Sequence, residues 1–451
     1  MMGTWQKKLK YLKDIHKGRG SKMTEKISLE LNFEGRECYS VPMSIEIDFD
    51  EHLERTKKEG FNPSSIRMVD KMTGKTVPCQ FSPSDSEKLR GTLSWILVSH
   101  AQKRLEIVVG GKKCCCQHLK GVEMWDRGDG QMEIFVNEEH VTSYIYNEAY
   151  ERPFLYPVIG PDGLPVTRSL PCFGDHPHHK GIGLAIGDVS GERGKPGINF
   201  WALGNIGDPR QGRVIHKKFT NLEQGPVYAK IQEENIWKQN DELPEAYPWW
   251  PPERSRWKIK REGAVLMKET RTVTIWNVSP MRLIDIHTVM IPAVDEVILN
   301  ADVEKKEMAK ENGPLTIRVA DNMRGAVEGT IVNSQGGRTE KECWGRQARW
   351  VDYYGPVVPG GPVNGIAAMD HPKNVRHPTG WHVRDYGLFA ANPFYDKKPE
   401  WPDQGPIYLF KAKGDKLDLR HRIYIHRGNE KEGMVEQKWQ DWVKPPQVTI
   451  Q

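Results

Sequence analysis

The chain has no apolar run long enough to cross a bilayer. One of its strongest stretches, LSWILVSHA at 93–101, is the size of a strand, whereas a membrane helix needs about 20 apolar residues. An integral membrane segment is therefore not expected. No CxxC pair occurs among the 7 cysteines, and three of them, Cys114, Cys115 and Cys116, are adjacent. Adjacent strand residues point to opposite faces, so neither a zinc ribbon nor a disulfide framework is indicated. The thiols read as reduced, as in a cytoplasmic protein. Net charge is also scarce. The 65 Lys+Arg against 60 Asp+Glu leave +5 over 451 residues, and no dense basic run is interleaved with aromatics. A nucleic-acid partner is not expected. Residues 1–24 lack the apolar stretch and cleavage site of a secretory signal. With Trp5, Leu9, Leu12 and Ile15 set among lysines, they read as a basic tail, or alternatively as a helix resting on an anionic membrane surface.

What the chain does have is the punctuation of a β protein. The 42 Gly and 31 Pro recur between short alternating or β-branched runs, and 15 Trp, 14 Tyr and 12 Phe supply large areas to bury. Runs such as KISLELNF, SVPMSIEIDF and RLEIVVGG predict a small antiparallel β-sandwich over 25–112, with DEHLERTKKEG (50–60) as its short helix. After the connector GKKCCCQHLKG, runs from QMEIFVN to LRHRIYIHRG predict one large antiparallel sandwich over 121–451. No βαβ alternation occurs, which disfavours a parallel sheet. The fold class is all-β, and sequence leaves the oligomeric state open.

Two stretches concentrate chemistry. GDHPHHKGIGLAIGDVSG (174–191) sets His176, His178 and His179 before Gly181, Gly183 and Gly187. On a strand, Ile182, Leu184 and Ile186 would face a core while the glycines leave the other face bare. Glycine inside a strand often marks a close approach by a ligand or another backbone. His179 shares the parity of that bare face. The second stretch, GIAAMDHPKNVRHPTGWHVRDYGLFAANPF (365–394), carries Asp370, His371, Asn374, Arg376, His377, Trp381, His382 and Arg384. His382, Arg384 and Tyr386 share one strand face, and Trp381, Val383 and Asp385 the other. Arg offers forked donors for hydroxyls or carboxylates, and Trp offers a flat face on which a sugar ring stacks. Two such clusters suggest loops converging on one small-molecule site.

These stretches, together with RPFLYPVIGPDGLPVTRSLP, ETRTVTI and ARWVDYYGPV, resemble the PmoA-like ("methane oxygenase PmoA") family over about 150–430, with DHPHH and DHPxNxRHPTxWHVR as the specific signatures. Where that family usually has Leu-Trp after its HPHH motif, this chain has Ile182 and Gly183. The resemblance implies a galactose-mutarotase-like supersandwich and acid/base chemistry on a sugar or keto-sugar, of epimerase, lyase or hydrolase type. It implies His176, His178 or His179 as general acid, assisted by His371 or His382. It implies Asp188, Asp352 or Asp370 as the base, without choosing among them. Arg271, Arg318 and Arg384 are candidates for binding substrate oxygens, with Asp352, His377, Trp381 and His382 lining the site. No cofactor is expected on this reading. The alternative is a metalloenzyme holding Zn, Cu or Fe on His176, His178, His179, His287 and His371. A third reading is a glycan-binding protein without turnover.

Overall fold

The computed structural model describes residues 25–53, 61–84, 89–110, 121–172, 175–190, 197–201, 211–240, 263–299, 313–394, 408–411 and 414–451. The basic tail and the cysteine triplet lie outside them. Of the helix expected at 50–60, the described part is the four-residue turn Phe49–His52, capped by the Asp48 side chain.

The described chain forms two compact units, Met1–Leu119 with Lys444–Gln451, and Lys120–Val443. The smaller unit is a sandwich of a five-stranded and a three-stranded sheet, all antiparallel. Its first strand, Glu25–Asn32, shows why. Ile27, Leu29 and Leu31 alternate with polar residues and enter one apolar cluster with Val41, Met43, Leu93, Trp95 and Leu97 of the other sheet. The last strand of the chain, Gln447–Ile450, pairs with that first strand, Leu29 facing Ile450. Assigning 121–451 wholly to the large domain is thus corrected: its final eight residues belong to the small unit. Two apolar side chains, Val448 and Ile450, pack against the small core and explain the return.

The larger unit holds two eight-stranded sheets and a three-stranded one. The first large sheet runs, edge to edge, through Gly380–Arg384, Leu388–Asn392, Gly313–Arg318, Ile182–Ala185, Phe154–Val158, Glu139–Ile145, Gln131–Val136 and Val122–Asp126. The second runs through Gly212–Glu223, Tyr228–Gln239, Val265–Trp276, Arg282–Pro292, Leu417–Arg427, Val363–Asp370, Trp350–Pro356 and Thr330–Asn333. Every pairing in both is antiparallel. One apolar cluster draws Ile182, Leu184, Ile317 and Phe389 from the first sheet and Ile231, Val273, Ile284, Ile366 and Ile423 from the second. The expected all-β supersandwich is what the chain forms.

Two local expectations change. The segment read as one strand, WHVRDYGLFAA, is a hairpin that turns at Gly387, whose φ of 99° suits glycine and whose N–H donates to the Arg384 carbonyl. A helix not foreseen, Val435–Val443, carries Trp439 and Trp442. No helix among the described residues is long and apolar enough to cross a membrane.

Candidate active site

The first large sheet has a second buried face, opposite the shared core. Alternation sends Ile182, Leu184, Leu315, Ile317, Trp381 and Val383 inward. It sends Gly183, Thr316, Arg318, His382 and Arg384 the other way, and Ala185, Leu388 and Ala390 cluster there with Trp201 and Tyr386.

Onto this second face folds the HPHH segment. His179 N–H donates to the His176 carbonyl at 3.1 Å, so His176-Pro177-His178-His179 is a tight turn with proline at its second position. The turn explains why the histidines gather: its first and last residues come side by side, and the His176 and His179 rings stack at 4.9 Å. Two buried arginines pin its carbonyls. Arg168 donates to those of Asp175, His176 and His179, and Arg152 to those of His178, Phe200 and Trp201. His176, at a φ of 46°, is held left-handed by these contacts.

Around the turn the side chains form a closed circuit. His179 lies 6.1 Å from Tyr386 and 5.5 Å from Trp201. Trp201 lies 6.4 Å from His382, which lies 5.8 Å from Trp344. Arg384 stacks on Trp344 at 4.4 Å and on Tyr386 at 5.5 Å, and Arg318 covers Tyr386 at 4.9 Å. Several polar atoms here are buried without a hydrogen-bond partner among the described residues: both ring nitrogens of His179, Nδ1 of His178, and Nε and Nη1 of Arg318. Burial, with the charge of Arg152 next, pushes His178 down to about 3. Burial and the neighbouring histidines and arginines hold His179 well below the ordinary value, and burial with Arg318 lowers His176. The environment thus favours the neutral imidazole at each, a form that accepts and donates hydrogen bonds but has no surplus proton to give, which argues against His178 or His179 as the resting general acid.

Not every expected residue joins them. Gly183 is not a bare floor: Phe154 covers it, and an added Cβ would meet Phe154 Cβ at 3.2 Å. At Gly181, with φ 45°, a Cβ would run into the Leu155 carbonyl. Trp381, expected as a sugar platform, is fully buried in the shared core, its indole donating to the Ala348 carbonyl at 2.8 Å. Asp370 is spent on its own loop, accepting from Asn374, Thr379 N–H and His377. His377 and His371 pack on Trp439 and Trp442 of the last helix. Asp188 accepts from Gly197 N–H. Asp352 pairs with buried His426 at 3.3 Å, and half-exposed His287 pairs with Asp418 at 2.9 Å.

Arg271 is the centre of a different buried network. It forks onto Glu269 at 2.7 and 2.9 Å and donates to the Tyr144 hydroxyl and the Pro153 carbonyl. Glu233 beside it accepts from His216, Asn235 and Tyr144. All of these groups are hydrogen-bonded to one another. The metal set fares no better. Among the described residues no three His, Cys, Asp or Glu side chains are grouped to hold a metal ion, and His287 and His371 make their contacts elsewhere.

With the geometry in place, residues 131–440 match a family of unknown function, DUF6807. The chain belongs to that family. No curated protein matches it. Two solved structures align in part with this DUF6807 chain. One is a glycosyl hydrolase family 38 protein from Enterococcus faecalis, 10% identical with a TM-score of 0.41, covering 95% of this chain and 47% of its own. The other is an alpha-mannosidase from Enterococcus faecalis V583, 11% identical with a TM-score of 0.40, covering 94% and 46%. The DUF6807 chain thus spans less than half the length of either. Within it, Arg152, Arg168, Trp344 and Tyr386 stand at the candidate site although sequence reasoning gave them no role. The first two stand inside the quoted RPFLYPV…VTRSLP segment, and Tyr386 shares strand parity with His382 and Arg384.

Proposed function

We propose that the HPHH turn and the sheet face beneath it form the substrate site of a carbohydrate-active enzyme, the kind of activity that the PmoA-like resemblance also implies. The observation that carries this reading is the closed circuit of His179, Trp201, His382, Trp344, Arg384 and Tyr386 around buried, unspent ring nitrogens. Aromatic faces suit the apolar side of a sugar ring, and neutral imidazoles suit its hydroxyls. Arginines fix the oxygens bidentately. Among the histidines, His179 has both nitrogens open and is the one placed to take a substrate proton in an isomerase, lyase or hydrolase step. Arg152 and Arg168 position the turn through its carbonyls and act on substrate only through it.

The test is turnover of a panel of monosaccharides and keto-sugars, followed by NMR, with the whole chain and with His179→Ala. Product formed by the wild type and lost in His179→Ala, with an unchanged melting curve, supports the reading. Affinity without product in the wild type refutes catalysis and leaves a glycan-binding protein. A stoichiometric metal in the purified protein that disappears in His178→Ala refutes it in favour of a metalloenzyme.

A further inference from the structure

Resting on the sugar-site reading, we infer that the sugar is an acid, with a carboxylate seated against the Arg318 guanidinium and its hydroxyls turned toward His178 and His179. Arg318 is 1% exposed, yet only its Nη2 is bonded, to Asp175 Oδ2 at 3.0 Å. Its Nε and Nη1 have no partner among the described residues. The Tyr386 ring lies beneath it, its centroid 4.9 Å from the guanidinium carbon. A buried guanidinium with open N–H groups matches a planar carboxylate in shape and in charge.

The surroundings leave positive charge to be met. Arg168 spends its hydrogen bonds on three carbonyl oxygens, which carry no full charge. Arg152 does the same, with Glu151 at 3.6 Å shared between it and Lys180 at 2.6 Å. Arg384 Nε stands 3.4 Å from Glu340 Oε1, close enough for an ion pair but without a hydrogen bond. Asp175, with 42% of its side chain exposed, divides itself between Arg318 and His176 Nδ1. A neutral ligand in this place would bury these cations further without compensation, which is costly, whereas an anion pairs with them. Carboxylate is favoured over phosphate because Arg152 and Arg168 are taken up by carbonyls of the turn, which leaves a single planar fork on Arg318.

The experiment is calorimetric titration of the full chain with matched sets: galacturonate, its methyl ester and galactose, then glucuronate, its methyl ester and glucose, with galactose 6-phosphate beside them. At least one acid is expected to bind about ten-fold or more tighter than its ester and its neutral parent, the size of one charge-assisted interaction. Arg318→Gln should erase that preference. Asp175→Asn, a change at a half-exposed position, should tighten the acid and leave the ester alone. Should Arg318→Gln fail to fold, the wild-type series and Asp175→Asn still decide. Neutral sugar or ester binding as tightly as the acid, or the phosphate binding in its place, overturns the carboxylate and leaves the sugar site standing. No binding by any sugar in the panel overturns both.

Discussion

Replacing Arg271 with methionine isolates what the buried charge network contributes. Arg271 is 2% exposed, Glu233 is 0% and Glu269 is 1% exposed. The incoming thioether side chain would be close in length to the lost one but would leave Glu269 with only the Trp237 indole donor at 2.8 Å. Glu233 would keep its bonds from His216, Asn235 and Tyr144 and lose the cation 3.7 Å away. Removing one partner of a buried ion pair costs about 3–5 kcal/mol, because the other charge stays desolvated. Urea unfolding of Arg271→Met, followed by circular dichroism, should show a loss of that size. The pH dependence carries the mechanism. Burial works to raise Glu233, but the His216 hydrogen bond, the Arg271 charge and the Tyr144 and Asn235 bonds outweigh it and hold the carboxyl low. Its contribution is therefore present above the unfolded value and lost as pH falls through the folded one. Without Arg271 the balance moves toward burial, so the gap between variant and wild type should narrow below about pH 4.5. Adding Glu269→Leu should recover part of the loss, since an apolar pair avoids the stranded charge. A single variant within about 1 kcal/mol of wild type at every pH would refute the dependence of these carboxylates on Arg271.

Two further outcomes follow from burial. Trp381→Ala should cost about 3–5 kcal/mol as a core cavity while sparing ligand affinity in the folded fraction; lost affinity at unchanged stability would return Trp381 to the site. His421 is pushed down to about 4 by burial, with Asp370 pulling partly the other way. The unfolded chain takes up that proton near pH 6.5, so the stability His421 supplies is whole above that value. It drains at up to about 1.4 kcal/mol per pH unit as pH falls toward the folded value. His421→Asn should flatten the urea midpoint over that window relative to wild type, and an unaltered slope would show that His421 is solvated.

Strand identity could be read from the sequence because alternation needs only local chemistry. Parity also separated His382 and Arg384 from Trp381 and Val383, but it failed at Asp385, which lies exposed in the turn beyond the strand's end at Arg384. Which of the two faces holds a ligand was beyond its reach, since both faces of this sheet are buried and a tryptophan suits either. Gly183 likewise announced that something comes close. The visitor is Phe154, from the neighbouring strand of the same chain. The DHPKNVRHPTG motif looked catalytic because its residues are titratable, but Asp370 closes its own loop, a role that only the fold discloses. Glu269, two residues back on the same strand face, was within reach of parity, but Arg271 gave no sign of Glu233 and Tyr144, which stand on other strands, the latter 127 residues away. The hairpin at Gly387 was missed for a simpler reason: one glycine in a strand-like run signals a bulge as readily as a turn.

The pairing of Leu29 with Ile450 has a temporal consequence. During synthesis the strand at 25–32 emerges hundreds of residues before the one at 447–450 that will flank it, and one edge of its sheet stays unsatisfied until that second strand is made. The small unit is therefore sealed only after residues 33–446 have been made, and its completion reports that they have.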